Sequence, residues 1–256
     1  MRKKRALSTY RARKVRQRGH DDAFTFALKI GLSSDYENNP QAKKDVVDLS
    51  KDSHSVKSGN AKWQIFLYRA SRFETDDAFR VMNGVGKLLT ACINAFPATY
   101  KAYQRNKSLA KLRLRKPMRK LAKKLKNKVR LRAFISKSMF NGGEVDYLTV
   151  KHDGKYHVFW NQDISKVLAE NLEVCNSTAR QKGQVSEQKV IFRFKGKNLG
   201  ELEMRNDSET HYREVRFNML KGKAMDLFFQ EIPLAAKYSR SVWVYGSAVK
   251  HFKRWK

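Results

Sequence analysis

The stretch KKDVVDLSKDSHSVKSGNAKWQIFLY, residues 43–68, contains the pattern on which the interpretation of the fold depends. Its segments DVVDL and SHSVK are each typical of a short strand, and the SKD between them favours a turn. Ser55 and Lys57 lie two residues apart and so point to the same face of a strand, and Asp45 comes beside them if the strands pair. The stretch predicts either two ordinary core strands or a place where an acid and a lysine act on a ligand.

Outside this stretch, helical and strand patterns alternate. An amphipathic helix is predicted by the spacing of Phe24, Ala27, Leu28 and Leu32. VDYLTVKHDGKYHVFWN (145–161) predicts a hairpin around an Asp-Gly turn, and DISKVLAENL (163–172) predicts a short helix with Asp163 as its N-cap. We expect a mixed α/β protein with a central mixed sheet flanked by helices.

Lysine and arginine cluster in residues 111–132, which hold twelve of them and no acid. Pro117 is expected in a first helical turn, where proline is tolerated. The apolar residues that predict a basic amphipathic helix are Leu114, Met118, Leu121, Leu125 and Val129. We expect three regions, 1–110, this helix and a strand-rich region 133–256, or alternatively one continuous domain.

Net charge indicates the class of partner. The 256 residues include 55 Lys and Arg against 24 Asp and Glu, a formal net charge of +31. A chain this basic repels itself, and its natural complement is a polyanion, most commonly nucleic acid. An anionic membrane surface is the rival, but no apolar run approaches the ~20 residues of a membrane span. We therefore expect binding to nucleic acid and no insertion into a membrane.

The cysteines and the first residues indicate the compartment. Cys92 and Cys175 lie far apart and no CxxC spacing occurs, which argues against a cysteine zinc site and a disulfide framework. Residues 1–19 carry nine Lys and Arg, no acid and no apolar core of the kind that a secretory signal needs. A soluble cytoplasmic protein is expected.

The residues of the opening stretch suit phosphodiester hydrolysis. That reaction needs an in-line water and stabilisation of charge on the phosphate, which nucleases commonly supply with Mg²⁺ on a carboxylate and a nearby lysine. Mg²⁺ prefers oxygen ligands, which Asp45, the backbone carbonyl of Val56 and waters can provide. Lys57 is the lysine of this pattern. The ordinary alternative is an acid that starts a strand and a lysine that is merely solvated.

The arrangement resembles the PD-(D/E)XK nuclease superfamily, and especially its type II restriction endonucleases. That family shows an acid-bearing helix, an Asp strand, a (D/E)xK strand and a further helix. Here Asp21 or Asp22, then Asp45, then Lys57 follow in this order, and the two helix acids cannot be separated from sequence. The resemblance covers about residues 12–70.

KWQIFLY and the position of Ser55 refine the resemblance. Gln64 and Tyr68 have the Q-x-x-x-Y spacing of RecB-like members, which implies a supporting role in the site. Ser55 stands where the family usually has an acid. Members with Ser-x-Lys recruit an acid from a following helix, which makes Glu74 a candidate, although Gln64 could supply the missing oxygen instead. Asp48 is a second-choice ligand.

The resemblance implies a Mg²⁺-dependent, site-specific endonuclease acting on double-stranded DNA. It implies a catalytic core in residues 1–110 and DNA recognition in residues 133–256. A homodimer would match a palindromic site and cut both strands. A restriction enzyme also has a companion DNA methyltransferase that protects host DNA.

Two segments are candidates for contact with DNA. The segment GELEMRNDSETHYREVRF, residues 200–217, is rich in side chains that read base edges, since Arg pairs with guanine and Asn with adenine. Its candidates are Arg205, Asn206, His211, Tyr212, Arg213 and Arg216. The basic helix offers phosphate contacts from Lys116, Arg119 and Lys123. The ordinary alternatives are a polar hairpin end and a solvated helix face.

Two other functions compete with the endonuclease. A non-catalytic nucleic-acid-binding protein of ribosomal or nucleoid type explains the charge equally well. A repair or recombination nuclease could instead use Glu201 and Glu203, which lie on one face of a predicted strand. No Ser-, Asp- or Glu-x-Lys follows these two acids closely, so this site ranks below that of Asp45 and Lys57.

Overall fold

The computed structural model describes residues 9–35, 45–59, 61–179, 181 and 183–252. Within them the chain forms helices and strands, so the mixed α/β prediction is confirmed. In chain order these are α1 (Thr9–Lys29), β1 (Val46–Val47), β2 (Ser53–Lys57), β3 (Lys62–Tyr68), α2 (Ala70–Thr75), α3 (Asp77–Val81), α4 (Val85–Asn94), α5 (Tyr100–Arg105), α6 (Lys107–Leu125), α7 (Lys128–Phe140), β4 (Tyr147–His152), β5 (Lys155–Trp160), α8 (Asn161–Asn171), β6 (Glu173–Asn176), β7 (Lys189–Phe194), β8 (Lys197–Arg205), β9 (Glu214–Leu220), α9 (Lys221–Glu231), β10 (Leu234–Lys237), β11 (Val242–Tyr245) and a 3₁₀ helix (Gly246–Lys250).

The chain divides into two compact units, each with its own sheet instead of one central sheet. The first unit comprises Met1–Gly59, Glu144–Asp163 and Ile232–Lys256, and the second comprises Asn60–Gly143 and Ile164–Glu231. The units interleave along the chain, whereas the regions expected from sequence follow one another. Interleaving arises because strands far apart in sequence pair with each other, and no local pattern specifies such pairs.

The sheet of the first unit is mixed. Its described strands have the order β1-β2-β4-β5-β11-β10, with β2 parallel to β4 and β5 parallel to β11. The hairpin predicted around Asp153-Gly154 is confirmed as β4 and β5. Alternation places one apolar set on the sheet face that packs against α1. This set includes Val46, Tyr147, Tyr156, Val158, Val242 and Val244.

The face of α1 that packs against the sheet is shifted by one residue from the face predicted from sequence. The residues that the helix buries in the core are Ala23, Phe26 and Ala27, and Ile30 just after its end joins them. Phe24 is only half-buried and Leu28 is 44% exposed, so the face predicted from these two was wrong. Both sets satisfy helical spacing, and only the position of the sheet selects between them.

The sheet of the second unit is antiparallel, with the described strands in the order β3-β9-β8-β7-β6. Helices α4 and α6 pack together, and α6 also contacts β6 and β7. The apolar stripe of α6 is buried as expected at Leu114, Met118, Leu121 and Leu125, with Ala110 added. The helix therefore keeps its charged side outward.

Two helix boundaries differ from the predictions. Helix α6 begins at Lys107, because the side chain of Asn106 accepts from the backbone N of Leu109, so Pro117 lies inside the helix instead of in its first turn. It ends at Leu125, and Val129 belongs to α7 and is exposed. Helix α8 begins at Asn161, so Asp163 is not its N-cap, and Asp163 instead accepts a hydrogen bond from the backbone N of Ser247.

None of the helices in the described part of the chain combines the length and the apolar character that crossing a bilayer requires.

Candidate functional site

The β1–β2 hairpin brings Asp45 and Lys57 together. Val46 pairs with His54 in the antiparallel register. Extended by one residue, this register places Asp45 opposite Ser55, and Lys57 follows on the same sheet face. The short SKD turn fixes the register, so the local sequence is sufficient to bring the acid to the lysine.

Three neighbouring groups of β2 converge on the carboxylate of Asp45. Its Oδ2 accepts hydrogen bonds from the backbone N of Val56 at 2.9 Å and from Oγ of Ser55 at 3.3 Å. Nζ of Lys57 lies 3.7 Å from the same oxygen. The side chains of Asp45 and Lys57 are 46% and 32% exposed, so a ligand from solvent can reach both. The structure thus brings these four predicted residues together.

The oxygen donors at Asp45 fit Mg²⁺ in type. Mg²⁺ is usually bound through one or two carboxylates and completes its shell with waters and substrate phosphates. Across the described residues, no group of three or more His, Cys, Asp and Glu side chains could hold a metal ion. A magnesium site here would use the carboxylate of Asp45 and the carbonyl of Val56, with water and phosphate oxygens as the other ligands.

A second acid–lysine pair lies beside the end of β2. Asp22 of α1 is buried and accepts a hydrogen bond from Nζ of Lys151 at 2.6 Å and another from Ser58, the residue after Lys57. Burial alone would raise the pKa of Asp22, but Lys151 and Ser58 outweigh it and hold that pKa below its usual range. Asp21 is exposed. Of the two helix acids, Asp22 is therefore the one anchored to the sheet, through Lys151 of β4 and Ser58 just after β2.

Asp48 and His54 form a buried pair away from solvent. Oδ2 of Asp48 lies 3.5 Å from Nε2 of His54, and both side chains are fully buried. The backbone N atoms of Ser50 and Asp52 donate to Oδ1 of Asp48 and close the turn after β1. Nδ1 of His54 lies 3.0 Å from Oγ1 of Thr149, and burial lowers the pKa of His54. Asp48, the second-choice ligand, thus supports the turn.

Three predicted supporting residues belong to the second unit, on β3 and α2. Gln64 and Glu74 are exposed. Tyr68 is half-buried and stacks on Phe66 with ring centroids 4.7 Å apart. Asp45 and its neighbours belong to the first unit, so the chain passes from one unit to the other between Lys57 and Gln64.

The segment expected to read bases makes most of its polar contacts within the second unit. Arg205 is bidentate to Asp207, with N–O distances of 2.6 and 3.0 Å. Tyr212 is buried and donates its hydroxyl hydrogen to the carbonyl of Pro97. The other contacts join His211 to Glu214, Arg213 to Asn94 and Arg216 to Glu203. Asn206 makes no polar contact with any described residue, so its side chain has no partner among them to exchange.

The rival acids Glu201 and Glu203 are neutralised by cations. Glu201 accepts from Lys62 at 3.1 Å and from Lys189 at 2.9 Å, while Glu203 pairs with Lys189 and Arg216. Burial alone would raise the pKa of Glu201, but Lys189 and Lys62 outweigh it and lower the pKa. A metal would have to displace these cations, so the contacts favour a structural role for both acids.

The outward side of α6 carries a row of exposed cations, which we name the α6 row. Its four members follow one another at spacings of three, four and three residues, so the row is about 15 Å long. None of its members has a polar partner in the described part of the chain. The row consists of Arg113, Lys116, Lys120 and Lys123. Lys116 and Lys123 were predicted as DNA contacts, and the same helical spacing could have identified the other two.

Arg119, the third predicted phosphate contact on this helix, has an acidic partner. Its Nε and Nη2 donate to the two carboxylate oxygens of Glu187 at 2.8 and 2.7 Å. Arg115 donates to the same carboxylate at 3.1 Å. These two arginines hold the segment before β7 against α6, and sequence alone does not reveal that acid because it is 68 residues from Arg119.

Comparisons with known proteins give no match. No protein-family model matches the chain, and neither a curated protein nor a solved structure is significantly similar to it. The geometry and chemistry of these residues are therefore the basis for assigning a function.

Proposed function

We propose that the protein is a Mg²⁺-dependent endonuclease that hydrolyses phosphodiester bonds of double-stranded DNA, like the restriction enzymes that its sequence resembles. The convergence of Ser55, Val56 and Lys57 on the accessible carboxylate of Asp45 supports the proposal most directly. An exposed ion pair of this kind contributes at most about 1 kcal/mol to stability. Stability alone therefore gives little reason for the grouping, whereas phosphodiester chemistry uses each of its members.

Each residue has a role in the proposed reaction. The ammonium of Lys57 orients the attacking water, favours loss of its proton to solvent through its positive charge and offsets charge that develops on the phosphate. The carboxylate of Asp45 and the carbonyl of Val56 hold Mg²⁺, which supplies Lewis-acid activation when it is bound. Ser55 donates to Asp45 and keeps its carboxylate directed at β2. Gln64, Tyr68 and Glu74 would have supporting roles through the resemblance alone.

The charge distribution supports binding of a polyanion. The chain carries a net charge of +31, and the α6 row offers four cations that no acid of the described residues neutralises. Contacts of this type hold a nucleic acid by its phosphates without reading its sequence. The α6 row is therefore the proposed backbone contact of the second unit.

The finer features of the proposal follow from the resemblance. They are recognition of a short specific sequence through residues 200–217, a homodimer on a palindromic site and a companion DNA methyltransferase. Such an enzyme would act in the cytoplasm, where it meets incoming DNA. Asn206 has free donor and acceptor groups for a base edge, whereas Arg205 would first have to exchange its contact with Asp207.

A non-catalytic nucleic-acid-binding protein is the second candidate. The α6 row favours it as strongly as it favours the nuclease, because both functions need phosphate contacts. The two differ at Asp45. A binding protein has no use for a metal there and would keep DNA intact when Mg²⁺ is present.

The experiment that tests the proposal incubates the purified protein with a plasmid and a long mixed-sequence duplex, methylated and unmethylated, in Mg²⁺ or EDTA. Asp45→Asn is compared with Lys250→Ala, an exposed change in the same unit. Discrete fragments in Mg²⁺ that disappear in EDTA and in Asp45→Asn support the site-specific nuclease. A smear supports cleavage without specificity. DNA that shifts on a gel but stays intact supports the binding protein.

A further inference from the structure

Helix α1 is packed along only part of its length. From Asp22 to its end at Lys29 it buries Ala23, Phe26 and Ala27 against the sheet of the first unit. Before Asp22 no described side chain is buried, although the backbone remains helical from Thr9. We name residues 9–20 the basic arm. It is a helix of about three turns whose described side chains lack the packing that normally stabilises a helix of this length.

The charges of the basic arm oppose its own helix. It carries five Lys and Arg and no acid: Arg11, Arg13, Lys14, Arg16 and Arg18. Like charges three and four residues apart on a helix repel each other. The positive charge of Arg18 helps to lower the pKa of Asp22, where the packed part of α1 begins. Arg13 and Lys14 are exposed and have no polar partner in the described chain. An external polyanion would supply the missing negative charge.

Gly19 lies at the junction between the basic arm and the packed part of α1. Glycine lowers helix stability, and a Cβ at this position would meet no heavy atom within 4 Å. The glycine is therefore not required for close packing. A glycine here lowers the stability of the arm's helix relative to alanine.

The distribution of charge around the arm indicates the kind of polyanion. Successive residues turn by about 100°, so the five cationic positions are spread around the axis instead of sharing one face. A helix that lies on a membrane surface needs a continuous apolar face, which this sequence does not provide. The major groove of B-form DNA is ~12 Å wide, admits an α-helix and has phosphates along both sides. A-form RNA has a narrow major groove.

We infer that the basic arm binds duplex DNA in the major groove and that its helix is stabilised by this contact. The inference goes beyond the proposed nuclease activity, since it needs binding but no cleavage. The arm contributes phosphate contacts that are additional to the α6 row. Binding of DNA and helix formation in the arm are coupled. Gly19, which weakens the helix, therefore also weakens the affinity of the arm for DNA.

The test uses the full chain in EDTA with a 20-base-pair DNA duplex, and affinity is measured by fluorescence anisotropy over a range of salt concentrations. The variant Arg13→Glu/Lys14→Glu reverses two exposed charges of the arm. The control Lys166→Glu/Lys250→Glu makes the same change of net charge at exposed residues elsewhere. We expect the arm variant to bind at least tenfold more weakly than the control, with a salt slope lower by about 2. Equal affinities of the two variants would overturn the inference.

Gly19→Ala tests the coupling between helix formation and binding. Alanine favours the helix, so we expect up to about fivefold tighter binding of the duplex, with amides 10–20 exchanging hydrogen more slowly in the complex than in the free protein. Unchanged exchange on addition of DNA contradicts the inference. Equal protection by an RNA duplex, or protection by anionic lipid vesicles instead of DNA, contradicts the assignment of the partner. Because no metal is present, failure of cleavage does not affect any of these outcomes.

Discussion

Nζ of Lys57 lies 3.7 Å from Oδ2 of Asp45, close enough for an ion pair and too far for a strong hydrogen bond. The ammonium of Lys57 has no other polar contact in the described part of the chain. Its three N–H donors are therefore available to a water or a phosphate oxygen. This combination of proximity and unused donors is what the proposed chemistry requires of the lysine.

The two acids of α1 should differ in their effect on stability. Asp22→Asn removes the charge that Lys151 faces, so we expect the free energy of unfolding to fall by about 2 kcal/mol. Asp21→Asn changes an exposed side chain, and its effect should stay within about 0.5 kcal/mol. Urea denaturation at pH 7 measures both. Equal effects would show that the Asp22–Lys151 pair contributes nothing.

Asp22→Asn should also change how the free energy of unfolding depends on pH under acidic conditions. The folded-state pKa of Asp22 lies below its usual range, so its contribution is complete above about pH 4 and is lost as the pH falls below that value. The difference between the wild type and Asp22→Asn should therefore shrink on acidification. A difference that grows below pH 4 would contradict the sign of this shift.

Glu203→Gln should affect stability and leave cleavage intact. The change removes the negative charge that Lys189 and Arg216 share at this position. We expect the free energy of unfolding to fall by about 2 kcal/mol. Cleavage rates of the folded variant should stay within about twofold of the wild type, because the proposed active site lies at Asp45. Glu209→Gln, an exposed change, is the control. Loss of cleavage by a folded Glu203→Gln protein would move the active site to Glu201 and Glu203.

The α6 row should contribute to DNA affinity in a salt-dependent way. Changing all four of its cations to Gln should lower the slope of log affinity against log salt by about 3 to 4, because each phosphate contact contributes about 0.9. The matched control changes four exposed cations elsewhere to Gln, namely Lys101, Arg105, Lys166 and Lys250. Anisotropy titrations in EDTA measure both slopes. If the two slopes are the same, the α6 row is not the interface.

His157 should make the protein less stable at mildly acidic pH. Burial lowers the pKa of His157 to about 4, while Nε2 of its neutral ring donates to the carbonyl of His152 and Nδ1 accepts from the hydroxyl of Tyr245. The neutral ring is thus favoured in the folded state. Its contribution is complete above about pH 6.5 and is lost as the pH falls towards 4, by up to about 3 kcal/mol.

The variant His157→Gln tests this pH dependence. The fall in the free energy of unfolding between pH 7 and pH 4.5 should be smaller in this variant than in the wild type. His54 is buried with a lowered pKa and acts in the same direction, so part of the slope will remain. His20→Gln, an exposed change, should keep the full slope. An unchanged slope in His157→Gln would contradict the assignment.

Local patterns predicted the elements of the fold better than their arrangement. The β4–β5 hairpin follows from alternation around Asp153-Gly154, and it is confirmed. The parallel pairing of β2 with β4 joins segments about 90 residues apart, and no local signal identifies it. The division into interleaved units and the buried face of α1 depend on that pairing. Neither could be derived from spacing alone.

In the candidate site, too, contacts within a local hairpin were predictable and contacts set by long-range pairing were not. Asp45 and Lys57 meet because a short turn joins two adjacent strands, so their proximity was predictable. The partner of Asp22, Lys151, is 129 residues away and was not predicted. Gln64 is only seven residues from Lys57 in sequence but belongs to the other unit. The contact between Asp22 and Lys151 follows from the pairing of β4 with β2 beside α1, which sequence distance could not predict.

If Lys57 acts with Asp45 in hydrolysis, its replacement should slow cleavage far more than replacement of another exposed lysine of the first unit. Single-turnover cleavage of plasmid in Mg²⁺ and DNA affinity in EDTA would be measured for Lys57→Ala and for Lys250→Ala. Both lysines are in the first unit, and both variants remove one positive charge. We predict that Lys57→Ala cleaves at least about 100-fold more slowly while its affinity changes less than tenfold, and that Lys250→Ala resembles the wild type. Equal cleavage rates of the two variants, or intact DNA with the wild type, would show that Lys57 and Asp45 do not catalyse hydrolysis.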